Sequence, residues 1–165
     1  MSDFYSLPVK ALEKNTKDTT VITFGLPDAL KELFHYTSGQ YLTLRATING
    51  EEVRRAYSMC SSPHLGDALQ VAVKRVPNGT MSTYLNDSLR EGQTLEVMPP
   101  QGRFVVAPDP ERRKVYYMFG AGSGITPLMS MIKTILEEEP QSTIYLLYGN
   151  RNEREVIFRE ELARL

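Results

Sequence analysis

At 165 residues the chain is long enough for one domain with a sizeable core, or one compact domain plus part of another, and two complete domains would be a squeeze. Its 19 basic and 20 acidic residues nearly cancel, and the basic side chains are scattered, so the positive field needed for nonspecific nucleic-acid binding is missing. No apolar run is long enough to span a bilayer, and MSDFYSLPVKALEK lacks the regions of a signal peptide, so the reading is a soluble cytoplasmic protein without a membrane partner. Cys60 is the only cysteine, which excludes an internal disulfide and an iron-sulfur cluster held by this chain. His35 and His64 have no metal-ligand spacing, so no metal site is expected.

In chain order, Leu7 to Leu12 and Val21 to Phe24 are strand candidates, and Tyr41 to Thr47 alternates as a half-buried strand does. Asn49-Gly50 then supplies the φ > 0 residues of a tight hairpin, and Glu51 to Ser58 returns antiparallel. Ala68 to Val76, Thr94 to Met98 and Arg103 to Val106 follow as strands, with one helix at Ser82 to Leu89. The pattern is mainly β and predicts an antiparallel Greek-key barrel with one capping helix, because closure removes exposed strand edges.

A polar, proline-containing connection, Ala107 to Lys114, places a boundary between residues 1–108 and 109–165. Beyond it the grammar changes to βαβα: strand Val115 to Phe119, a glycine-rich turn at Gly120 to Gly124, helix Pro127 to Glu138, strand Ile144 to Tyr148, helix Glu155 to Leu165. Such a series calls for a parallel sheet covered on both faces, and two strands leave apolar faces without partners. The second part is therefore expected to be an incomplete α/β domain, as in a truncated chain, a proteolytic fragment or one that relies on another copy.

Four motifs carry chemistry. Arg55-Ala56-Tyr57-Ser58 ends a strand, and Gly79-Thr80-Met81-Ser82 opens a helix. Gly120-Ala121-Gly122-Ser123-Gly124-Ile125-Thr126-Pro127 joins a strand to a helix but lacks the sixth-position glycine of the dinucleotide fingerprint and the lysine of a phosphate-binding loop. Tyr148-Gly149-Asn150-Arg151 ends the last strand. Each alone has a plainer reading, as a surface cation with a packed aromatic, a helix cap or a generic turn. In this order they resemble the motifs of the ferredoxin-NADP reductase family. Gly39-Gln40-Tyr41, with Ser38 for the usual proline, and Pro99-Pro100-Gln101-Gly102-Arg103-Phe104 resemble two of its structural turns.

The resemblance implies an FAD-binding barrel and an NAD(P)-binding domain, with NAD(P)H as substrate. Arg55 and the turn Gly79, Thr80, Met81 and Ser82 would hold the flavin diphosphate, by a guanidinium fork and by a helix N-terminus. Tyr57, next to Ala56, would lie against the flavin ring, and Ser58, the candidate catalytic residue, would hydrogen-bond near the hydride-accepting N5. Ala72, Val73 and Lys74 would hold the ring through backbone groups. Ser123 and Thr126 would order the place where nicotinamide stacks, and Gly122, Ser123, Gly124 and Arg151 would meet the nucleotide. Arg151 and Arg154 suit a 2'-phosphate, which leans to NADPH, or are solvated surface residues. Electrons would leave to an oxygenase component through an iron-sulfur carrier, and a 2Fe-2S centre would lie only in a C-terminal domain beyond this chain.

Overall fold

Residues 3–66 and 68–165 are described by the computed structural model. Leu7 and Val9 point inward from the first strand, Tyr5–Thr16 (β1), while their neighbours face solvent. Thr19–Phe24 (β2) pairs with it antiparallel. Tyr41–Ile48 (β3) and Glu51–Ser58 (β4) form the predicted hairpin: Ile48 faces Glu51, and Asn49 and Gly50 have φ of 52° and 83°. Gln70–Lys74 (β5) and Thr94–Gln101 (β6) complete a six-stranded sheet in the order β4-β3-β6-β1-β2-β5.

The sheet curls as the sequence predicted. Its two edges, β4 and β5, meet at an antiparallel bridge between Met59 and Val71, where the Cys60 N–H also donates to the Gln70 carbonyl at 3.0 Å. Leu7, Ile22, Phe24, Leu42, Leu44, Val71 and Val97 fill the interior. Helix Thr80–Asp87 (α1) adds Met81 and Leu85 to that core and packs on β3, β4 and β5. It starts two residues before the expected Ser82.

Two strand expectations change. β6 runs on through Pro99-Pro100 to Gln101, because the register slips between Tyr41/Gln101 and Thr43/Met98, and a bulge accommodates residues that have no N–H to give. Arg103 to Val106 forms no strand. Gly102, at φ 122°, turns the chain out of the sheet, and Val106 instead exchanges hydrogen bonds with Ser38: its N–H meets the Ser38 carbonyl at 3.2 Å, and its carbonyl accepts from the Ser38 hydroxyl at 3.1 Å. That hydroxyl is what serine contributes at this turn.

Val115–Ala121 (β7) and Thr143–Gly149 (β8) pair parallel, in register from Val115/Thr143 to Ala121/Gly149. Helix Ile125–Glu138 (α2) covers one face with Leu128, Met129, Ile132 and Ile135, against Met118, Ile144 and Leu146. Among the described residues nothing covers the other face. Tyr117 and Tyr145 stack there at 5.4 Å beside Phe119 and Leu147, and these last two are 71% and 67% exposed.

The expected final helix, Glu155 to Leu165, is much shorter. A 3-10 turn covers Glu153–Glu155, and an α-helix only Arg159–Leu162 (α3). Ile157 and Phe158 are both buried in the α2 core, and a left-handed backbone at Phe158 breaks any helix running through it. Phe158 takes φ 60°, and its N–H donates to Asn15 Oδ1 on β1 at 2.8 Å.

Among the described residues no helix is long and apolar enough to cross a membrane, and no group of three His, Cys, Asp or Glu is placed to hold a metal ion.

Candidate functional site

The strand β4 presents Arg55 and Tyr57 opposite Leu44 and Leu42, so both side chains leave on the sheet face that carries the core, at its edge. Arg55 is exposed, and its guanidinium donates one N–H to the Arg54 carbonyl at 2.7 Å. Tyr57 is half-buried against the barrel core. Burial pushes its phenol up to about 12, the Arg55 charge pulling the other way. The hydroxyl therefore stays protonated, a donor, throughout the physiological range. Ala56 is exposed and Ser58 half-buried, on the opposite face of β4.

The Gly79 turn is built to aim α1. Its N–H donates to the Val76 carbonyl at 2.9 Å, and the Ser82 hydroxyl accepts from the Val76 N–H at 3.0 Å and donates back to the Gly79 carbonyl. A Cβ on Gly79 would lie 2.6 Å from Ser82 Oγ and 3.0 Å from Val76, so the turn closes only around glycine. The Ser82 side chain is thus committed to the turn. What α1 can offer a ligand is the first-turn backbone N–H groups from Thr80 to Ser82, which helix geometry leaves without carbonyl partners.

The glycine-rich turn is a 3-10 turn, Gly122–Gly124, leading directly into α2. Gly122 has φ 50°, and a Cβ on Gly124 would meet nothing within 4 Å, so the backbone there is open to close approach. The buried Thr126 holds the turn by donating its hydroxyl to the Ser123 carbonyl at 2.8 Å. Tyr148 braces it from β8: its hydroxyl donates to the Gly122 carbonyl at 2.9 Å and accepts the Ile157 N–H at 3.2 Å.

These pieces converge. The end of β5 packs on the Gly122–Gly124 turn, where the Lys74 Nζ lies 3.9 Å from the position of a Cβ on Gly122. Lys74 forms a 3.0 Å ion pair with Glu155, which also accepts from Asn152. The Lys74 hydrogen bond holds the Glu155 carboxyl below its usual range, with Asn152 and the charge of Arg151 adding to it. Ala72 and Val73 are buried in the same strand. Arg154 lies apart, on a cavity of about 570 Å³ between β1 and the 153–164 segment. Sequence reasoning gave Lys74 only a backbone role and passed over Tyr148's hydroxyl and Glu155; partners 81 residues apart leave no local signal.

The donor set suits two diphosphates: an exposed guanidinium on β4 with the N-terminus of α1, the helix that packs on that strand, and an open glycine turn at another helix. A family model of the oxidoreductase FAD-binding domain matches residues 6–106, and one of the oxidoreductase NAD-binding domain matches residues 118–165. The chain belongs to this family of FAD- and NAD-binding oxidoreductase domains, of ferredoxin-NADP reductase type. It is 46% identical to a component of the 1,2-phenylacetyl-CoA epoxidase of Escherichia coli K12, over 100% of this chain and 46% of that protein. It is 44% identical to the ferredoxin reductase component of 3-ketosteroid-9-alpha-monooxygenase from Rhodococcus rhodochrous, over 96% of this chain and 44% of that one. Among solved structures, phthalate dioxygenase reductase, described as modular for electron transfer from pyridine nucleotides to a 2Fe-2S centre, superposes with a TM-score of 0.80 at 28% identity. That match covers 97% of this chain and 48% of that one. The chain thus spans about half the length of the relatives it matches.

Proposed function

We propose that this chain is the FAD-holding part, with the first segment of the nicotinamide-nucleotide part, of an NAD(P)H-dependent reductase that feeds electrons to an oxygenase. The observation that carries the reading is the convergence of the Arg55 strand, the α1 N-terminus and the Gly122–Gly124 turn around the β4–β5 edge. Residues 1–108 form the flavin domain and residues 109–165 the start of the nucleotide domain. Bound FAD would supply the redox chemistry, accepting hydride from NAD(P)H and releasing electrons singly. Arg55 and the N–H groups of Thr80, Met81 and Ser82 neutralise the flavin diphosphate. Tyr57 lies against the ring system, and Ser58 offers its hydroxyl at the ring's reactive edge. Backbone groups of Ala72 to Lys74 border the ring, while Gly122, Ser123, Gly124 and Thr126 admit the nucleotide. Arg151, whose charge acts on Glu155, would meet the nucleotide's ribose end, where it leans to a 2'-phosphate and NADPH without excluding NADH.

The oxygenase of phenylacetate degradation is the specific reading supported by the 46% identical epoxidase component, and an iron-sulfur carrier is the electron acceptor it implies. The setting is the cytoplasm. A second reading, FAD binding without turnover, is favoured by the bare Tyr117/Phe119/Tyr145/Leu147 face, since a parallel sheet is normally covered on both sides. Arg55→Ala is expected to weaken FAD about 10- to 100-fold, the loss of one or two charge-assisted hydrogen bonds. Flavin content after gel filtration checks this, and an unchanged flavin-to-protein ratio would remove Arg55 from the site.

A further inference from the structure

The β4 strand does not stop acting at Ser58. Directly after it, Met59 to Ser62 runs into the junction between the barrel and α2, and both of its hydroxyls are paired there. The Ser61 hydroxyl shares a 2.8 Å hydrogen bond with the Tyr36 hydroxyl and accepts the Gln70 N–H at 3.1 Å. The Ser61 carbonyl accepts from the Ser130 hydroxyl of α2 at 2.6 Å. One turn along, the Ser62 and Thr134 hydroxyls meet at 2.9 Å, and Thr134 also donates to the Ser130 carbonyl. Ser61, Ser62, Ser130 and Thr134 are all 0% exposed.

Apolar packing alone lets two surfaces slide, whereas buried hydroxyls that lose their partners carry a desolvation penalty, so this seam has one low-energy register. Its placement matters. Ser61 is three residues beyond Ser58, directly after the strand of the flavin motif, and its hydroxyl reaches Tyr36 in the barrel core and Gln70 at the start of β5. Ser130 lies six residues beyond Gly124, on the helix that the glycine-rich turn opens. The seam therefore joins, by short rigid segments, the two half-sites whose spacing decides hydride transfer.

We propose that Ser61, Ser62, Ser130 and Thr134 are positioning residues that fix the flavin-motif strand at one depth and angle to the glycine-rich turn. They touch neither flavin nor nicotinamide. The proposal rests on the functional reading above for its consequence, but the register it describes is testable without cofactor. Placing spin labels on cysteines introduced at the exposed positions Glu51 and Gln141 reports the barrel-to-α/β distance, Cys60 being buried. The distance distribution is expected to be narrow in the parent chain and roughly twice as broad in Ser130→Ala/Thr134→Val, which removes both interdomain hydroxyl links with little change of volume. Thr134→Ser, which keeps the hydroxyl, is expected to stay narrow. An unbroadened distribution in the double variant, or equal broadening in Thr134→Ser, overturns the proposal.

With FAD bound, the double variant should be reduced by NADPH about tenfold more slowly at unchanged flavin content, as a small misplacement costs hydride transfer more than binding. A broadened chain reduced at the parent rate also overturns it. A parent chain that NADPH does not reduce counts against the reductase reading instead, and the distance measurement still decides the seam.

Discussion

Gly39→Ala is expected to destabilise the chain by about 3–5 kcal/mol, a large part of the roughly 5–15 kcal/mol that holds a domain folded. Gly39 has φ 99°, where an alanine is strained whatever the space. A Cβ there would also lie 2.1 Å from the Phe104 carbonyl oxygen and 2.3 Å from the Met131 Cε. The methionine tip can swing away. The carbonyl cannot, because Val106, two residues on, is tied to Ser38 by hydrogen bonds through both its N–H and its carbonyl. Gly50→Ala is the control. Gly50 also has positive φ, 83°, but nothing lies within 4 Å of its Cβ position, so only backbone strain of about 1–2 kcal/mol is expected. Denaturant unfolding of both variants separates strain from collision, and equal losses would refute the close approach. The damage should reach the flavin motif: next to Gly39, the Gln40 carbonyl accepts the Met59 N–H at 3.0 Å, directly after Ser58.

Glu139→Ala should cost about 3–5 kcal/mol, because removing the buried carboxylate strands the Ser142, Tyr116 and Asp109 donors, while Arg112, 36% exposed, can turn to solvent. The carboxylate is 0% exposed and accepts from the Ser142 hydroxyl at 2.8 Å, the Tyr116 hydroxyl at 2.9 Å, the Asp109 N–H at 3.1 Å and Arg112 at 2.9 Å. It gathers the 107–112 connection, β7 and the end of α2 into one knot. Burial alone would raise its pKa, but Ser142, Tyr116, the Asp109 N–H and Arg112 together hold it below the ordinary 4.5. The folded value is thus depressed, so the stabilisation is complete above the unfolded pKa near 4.5 and disappears as pH falls through the folded value. Thermal unfolding should accordingly show a melting temperature lower by about 10 °C in Glu139→Ala at neutral pH, with a smaller gap from the parent in acid. A gap that does not shrink on acidification would mean that the carboxylate charge contributes nothing.

Local chemistry was legible and remote pairing was not. Asn49-Gly50 announces its hairpin because two consecutive positive φ angles suit few other residue pairs. The flavin-type motifs stand on the predicted strand and near the predicted helix start, because Gly79 and the strand end are short-range features. Pro99-Pro100 reads as the end of a strand, and only the bulge opposite Tyr41 to Thr43 lets β6 continue. Val156-Ile157-Phe158 reads as part of a helix, but burial against α2 and the Asn15 hydrogen bond from β1 hold it irregular. Ser82 reads as a ligand contact, and its hydroxyl is engaged in the Val76–Gly79 turn. Glu139 and the Ser61–Ser130 seam left no trace in the sequence, since their partners on other elements stand 23 to 72 residues away.

In the proposed reading Arg55 and the α1 N-terminus grip a diphosphate, which distinguishes FAD from flavins that carry none. Titrating the flavin-free chain with FAD and, separately, with riboflavin tests it most directly, read by quenching of flavin fluorescence. FAD should bind one-to-one and at least about 100-fold more tightly than riboflavin, the yield of two or more charge-assisted contacts. Equal affinity for the two, or no binding of FAD, would contradict the account.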